Sequence, residues 1–107
     1  MPPSKSEAHA ALKFLIATLK ADDPRRNELS LIYLLLWLID GGDGNRTNSL
    51  AGVLGGAYGQ GGAKSLLEEV ITIMRWVANG GDIWTDFLAE VQEVRLHADK
   101  FFKSKNY

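Results

Sequence analysis

The run Leu29-Ser30-Leu31-Ile32-Tyr33-Leu34-Leu35-Leu36-Trp37-Leu38-Ile39 limits the fold more than any other part of the chain. Ser30 is its one interruption. Eleven residues rise about 16 Å as a helix, whereas a bilayer core takes about 20 residues to cross. The apolar side chains fall on every side, so this helix must be surrounded. Its start is marked by Asp22-Asp23-Pro24. Asp23 is a good N-cap, and proline suits the first helical position. The helix is therefore expected from Pro24 to about Asp40, with Gly41 as the residue just past its end. It reads as the central helix, or as half core and half oligomer interface.

The remaining punctuation is also helical. Ser4 and Glu7 have capping-box spacing, and Ala8, Leu12, Leu15, Ile16 and Leu19 then form one stripe up to Ala21. Ser65 and Glu68 repeat the capping-box spacing ahead of a face made of Leu67, Val70, Ile71, Met74 and Val77, closed by Asn79-Gly80-Gly81. Asp82 is expected to cap a long last helix. Its stripe is Trp84, Phe87, Leu88, Val91, Val94, Ala98, Phe101 and Phe102, with lysines near its end. No strand-like alternation of useful length occurs. The reading is all-α: a compact bundle of four longer helices plus one short Gly/Ala-rich helix, as a single domain over residues 1–107.

Composition narrows the chemistry. Twelve basic against thirteen acidic residues give a net charge of −1, so direct nucleic-acid binding is not expected. The absence of cysteine excludes disulfides, thiolate metal sites and thiol catalysis. Met1-Pro2-Pro3-Ser4-Lys5 does not begin a secretory signal, and no membrane span is expected, which suggests a cytoplasmic protein.

Residues 41–65 hold nine of the eleven glycines. If residues 49–58 form the short helix, Gly52, Gly55 and Gly56 lie inside it, with Gly59 four beyond Gly55. Each interior glycine costs about 1 kcal/mol relative to alanine. Three together cost about 3 kcal/mol, a sizeable part of the roughly 5–15 kcal/mol that holds a domain together. Close approach of another helix would offset that cost, as would close approach of a ligand. The alternative is that the segment is a mobile loop.

Gly41-Gly42-Asp43-Gly44-Asn45-Arg46, followed by Leu50-Ala51-Gly52-Val53-Leu54-Gly55-Gly56-Ala57-Tyr58-Gly59, resembles the late metal-site motif of ADP-ribosylglycohydrolases, in which a Gly-Gly-Asp-x-Asp-Thr loop leads into a Gly/Ala-rich helix. The resemblance covers 19 of 107 residues. Asn45 stands at the second aspartate and Arg46 at the threonine, and the family's earlier acidic motif has no counterpart. A hard cation needs several oxygen ligands, and an arginine among them opposes it. No metal or other cofactor is therefore expected. Neither the EF-hand pattern nor the phosphate-loop pattern fits this stretch.

Asp82, Asp86, Glu90 and Glu93 fall on one side of the last helix, with His97 one turn later. That set is either a surface for a basic protein partner or a solvated helix face. His9 and His97 are both expected at the surface. Trp76 falls off the expected core face together with Ile73. The pair is either an exposed interface edge or part of the core.

No nucleophile elbow, metal cluster or forced carboxylate pair supports catalysis. The expected function is a small non-enzymatic helical protein that binds a protein partner or regulates through its surface, with homodimerisation as one form. The interface candidates are Ile73, Trp76, Asp82, Asp86, Glu90 and Glu93. One alternative is a binder of a nucleotide or phosphate using Asp43, Asn45, Arg46 and the glycines of residues 41–65. The other is a phage or bacterial inhibitor engaging a basic target through the acidic helix face.

Overall fold

The computed structural model describes residues 2–20, 28–40 and 63–104; for residues 28–31, 33 and 63–67 only the backbone is described. Five helices occupy these residues. They are α1 (Lys5–Lys20), α2 (Glu28–Ile39), α3 (Ala63–Ala78), α4 (Ile83–Asp86) and α5 (Leu88–Ser104). No strand occurs among the described residues, in keeping with the all-α expectation. The short Gly/Ala-rich helix expected at residues 49–58 lies outside the described residues, as do residues 24–27.

The start of α1 forms as its spacing requires. The Ser4 hydroxyl accepts the Glu7 amide at 3.2 Å, and the Glu7 carboxylate takes the Ser4 hydroxyl at 3.2 Å. One face of α1 is then buried: Ala8, Ala11, Leu12, Leu15, Ile16 and Leu19. This face packs mainly on α3 and next on α5, while α2 packs on α5. All the described apolar side chains of α2 are buried or half-buried, as a helix apolar all round requires. Ile32, Leu34, Leu35, Leu38 and Ile39 are its fully buried members.

Helix α3 begins at Ala63, so Ser65 sits inside the first turn and is not its cap. Its buried face is also rotated from the expected one. Val70, Ile73, Met74 and Trp76 are buried, whereas Ile71 and Val77 are half-buried. The helix ends in a Schellman motif. The Gly80 amide bonds to the Val77 carbonyl at 3.0 Å, and the Gly81 amide to the Trp76 carbonyl at 3.0 Å. Gly80 takes the left-handed conformation this turn needs, with φ of 97°.

The expected long last helix is interrupted. Asp82 caps only α4, its carboxylate accepting the Trp84 and Thr85 amides at 3.0 and 3.3 Å. The backbone leaves the helix at Phe87, with φ of −133° and ψ of 44°. The hydrogen-bond ladder restarts from the Phe87 carbonyl to the Val91 amide at 3.0 Å. Packing accounts for the break. Once out of the helix, the Phe87 ring is buried between two others, centred 4.8 Å from His9 and 5.1 Å from Trp76. The same break changes the stripe. Phe87, Val91, Val94 and Ala98 are buried and Phe101 and Phe102 are half-buried, but Trp84 and Leu88 face outward.

Candidate interaction surface

Two side-chain constellations stand on this frame. The first is a seam between α1 and the α4–α5 segment. Lys5 pairs with Asp86 at 3.0 Å, His9 Nε2 with Glu90 at 2.8 Å, and Lys20 with Glu93. The first two pairs each advance by four residues, the register of two segments running in the same direction. The imidazole of His9 lies nearly parallel to the Phe87 ring, 6° apart, and Lys5 stands 6.0 Å from the centre of that ring. His9 is therefore engaged in the seam, with its side chain still 39% exposed at the surface. His97 is half-buried.

Solvated ion pairs contribute only about 0–1 kcal/mol each, so the seam orients α1 more than it stabilises it. The hydrogen bond from His9 is the main reason that the Glu90 carboxyl lies below its usual range; its own backbone amide and the charges of His9 and Lys13 act in the same direction. The Asp82 carboxyl is also lowered, first by the Thr85 hydroxyl at 2.6 Å, then by the amides of Thr85 and Trp84.

Both shifts predict how acid acts. A carboxylate lowered in the folded state contributes stability above the unfolded value, about 3.9 for Asp and 4.3 for Glu. That stability disappears as pH falls through the lower folded value. Urea unfolding between pH 7 and 2.5 should show a decline that sets in near pH 5. Asp82→Asn, which keeps an acceptor for the cap amides, should shallow that decline. An unchanged acid limb in this variant would remove Asp82 from the account.

The second constellation joins the end of α2 to α4 and α5. The indole Nε1–H of Trp84 donates to the Ile39 carbonyl at 2.8 Å, satisfying one of the orphan carbonyls at the end of α2. Arg95 pairs with Asp40 and lays its guanidinium 5.6 Å from the centre of the Trp84 ring. Trp84 nevertheless remains 39% exposed, and Leu88 beside the break is 49% exposed. Next to the indole is an open cleft of about 500 Å³, lined by Leu38, Ile39, Asp40, Val77, Gly81, Asp82, Ile83 and Trp84.

The residues singled out in the sequence scatter. Ile73 and Trp76 are core residues, 2% and 8% exposed, so they do not form an exposed edge. The reason is the rotated face of α3, which turns both toward the interior. Asp86, Glu90 and Glu93 meet cations of α1, and Asp82 holds a helix start. Asp43, Asn45, Arg46, Gly52, Gly55, Gly56 and Gly59 lie outside the described residues. The Trp84–Leu88 edge was missed because helical phase assigns both residues to one continuous buried stripe. A signal for it was present: Leu88 sits at the margin of the Val91–Val94–Ala98 ridge.

Among the described residues, no group of three or more His, Asp or Glu side chains could hold a metal ion. No described helix is long and apolar enough to cross a membrane. No protein-family model, curated protein or solved structure matches this chain.

Proposed function

We propose that the chain is a non-enzymatic helical module that binds another protein through its surface, with Trp84 and Leu88 at the centre of the contact. The observation that carries this reading is the state of Trp84. Its ring is exposed, yet it is held by the bond to Ile39 and by Arg95 over its ring. A large aromatic already immobilised loses little conformational entropy on binding. Tryptophan and arginine are also the side chains most enriched where binding energy concentrates.

The acidic set supports a partner site less well, since all four members are engaged within the chain, three in ion pairs and Asp82 as a helix cap. Nor does the geometry favour catalysis around His9. The Ser4 and Ser6 hydroxyls bond to each other at 3.2 Å, and Ser4 to Glu7, with no bond to the imidazole among the described residues.

The test is affinity capture from the native host, followed by titration of the purified partner with wild type, Trp84→Ala and Leu88→Ser. Trp84→Ala should weaken binding at least about 30-fold, the effect of losing a hot spot worth about 2 kcal/mol. Unchanged affinity in both variants, with folding intact, would sink the assignment of this edge. Sedimentation at micromolar concentration separates the homodimeric form of the reading. A dimer dissociated by Trp84→Ala would make the second copy the partner, and a monomer would exclude self-association.

A further inference from the structure

We infer that the cleft beside Trp84 receives an arginine or lysine side chain of the partner protein. The inference rests on the surface-binding reading and deepens it by naming what the partner presents. Of the described residues lining the cleft, four are aliphatic, two are aspartates, one is Trp84, and none is basic. Aliphatic walls suit the stem of a long cationic side chain, which buries its methylenes while its head stays with charge and water.

Three features favour a positive head there. The Asp40 side chain remains 55% exposed although it pairs with Arg95. Asp40 follows the carbonyl end of α2, which is the negative end of the helix dipole, and the last turn of α2 carries no basic residue. The Trp84 ring, partly exposed, offers a π surface that attracts cations. Asp82 lines the same cleft, but its oxygens are committed to the amides of Trp84 and Thr85 and to the Thr85 hydroxyl. Asp40 is therefore the carboxylate that pairs.

The chain itself shows what these groups select. Arg95 brings its guanidinium to the Asp40 carboxylate and to 5.6 Å from the centre of the Trp84 ring. A carboxylate beside an indole thus already holds one guanidinium. Arg95 is not among the described residues lining the cleft, so the cleft is a second approach to the same two groups.

The open form of the cleft decides where the cation comes from. Sites for free small ligands enclose most of the molecule they bind. A side chain delivered by a partner needs no such enclosure, because the partner's own surface closes the mouth. The exposed Trp84–Leu88 edge gives that surface its apolar contact.

The first arm of the test uses the free chain. n-Butylguanidinium chloride, 1-pentanol and sodium pentanoate are cationic, neutral and anionic compounds of similar length. Each is titrated at constant ionic strength while NMR follows the Trp84 indole Nε1–H signal, assigned by its loss in Trp84→Phe. n-Butylguanidinium should shift the signal saturably with a Kd of about 1–10 mM, and the other two should bind at least about tenfold more weakly. Asp40→Asn should weaken the cation at least about fivefold, whereas Arg95→Gln, which releases Asp40, should tighten it. Circular dichroism checks that each variant folds. A merely structural Asp40–Arg95 pair predicts the same direction for both variants, and that result would overturn the inference. So would equal binding of the three compounds, or no saturable shift with the cation. A Kd of about 10 μM or tighter would make a free amine the occupant and overturn the side-chain assignment.

The second arm adds Asp40→Asn to the titration of the captured partner, where it should weaken binding at least about tenfold. Weakening by Trp84→Ala but not by Asp40→Asn would overturn this inference and leave the surface-binding reading standing. Unchanged affinity in Trp84→Ala would sink that reading and the side-chain assignment with it.

Discussion

Replacing Phe87 with alanine should lower the unfolding free energy by about 3–5 kcal/mol. The ring is 5% exposed and touches two other rings, so its removal leaves a cavity between α1, α3 and the break. Small domains are held by about 5–15 kcal/mol in total, so the substitution removes at least about a fifth of that reserve. Urea unfolding followed by far-ultraviolet circular dichroism gives the value. Phe87→Leu is the control. It keeps most of the apolar volume and should cost less than about 1.5 kcal/mol. If both variants cost the same small amount, Phe87 does not hold the break in the way the packing indicates.

Gly81→Ala should be the second large effect. A Cβ built on Gly81 meets the Trp76 ring at 2.4 Å, well inside the roughly 3.5–4.0 Å of ordinary carbon contacts. The ring has little room to withdraw, since it is 8% exposed and packed against Phe87. The overpacking should cost about 1–3 kcal/mol and shift the near-ultraviolet signal of the tryptophans. Gly80→Ala separates backbone from packing. Nothing lies within 4 Å of a Cβ there, and the cost is the left-handed φ of 97°, about 1–2 kcal/mol. In a Trp76→Leu background the Gly81→Ala cost should shrink while the Gly80→Ala cost persists. Equal costs for Gly81→Ala in both backgrounds would dissociate that glycine from the indole.

Both predictions concern features that local reading treats unevenly. Asn79-Gly80-Gly81 is legible as a helix stop, since a left-handed residue is commonly glycine. The need for a second glycine is not legible, because it arises from an indole folded back onto the turn. Ser4 and Glu7 could be paired from spacing alone, as could the buried stripe of α1, because both depend on neighbours within one or two turns. The face of α3 was only partly legible. Ile73 and Trp76 lie on the flank of a stripe that also fits Ile71 and Val77, and contact with α1 decides which flank turns inward.

The candidate surface was less legible still. Asp82 could be recognised as a cap, but nothing local ends its helix after four residues. Trp84 and Leu88 continue the apolar period of Val91 and Val94, so helical phase places them in the core. The acidic residues could be placed on one side of the last helix, while their cations sit more than seventy residues earlier in the chain.

The sequence alone determined the helical class, the Ser4 cap, the turn after α3 and the need to surround the Leu29–Ile39 run. Each of these follows from interactions between residues a few positions apart. Tertiary structure decided where the last helix breaks, which tryptophan stays exposed and which cations meet the acidic side. Those outcomes depend on how rings and charges from distant helices share one space: Phe87 leaves its helix because His9 and Trp76 bury its ring better than the helical path would.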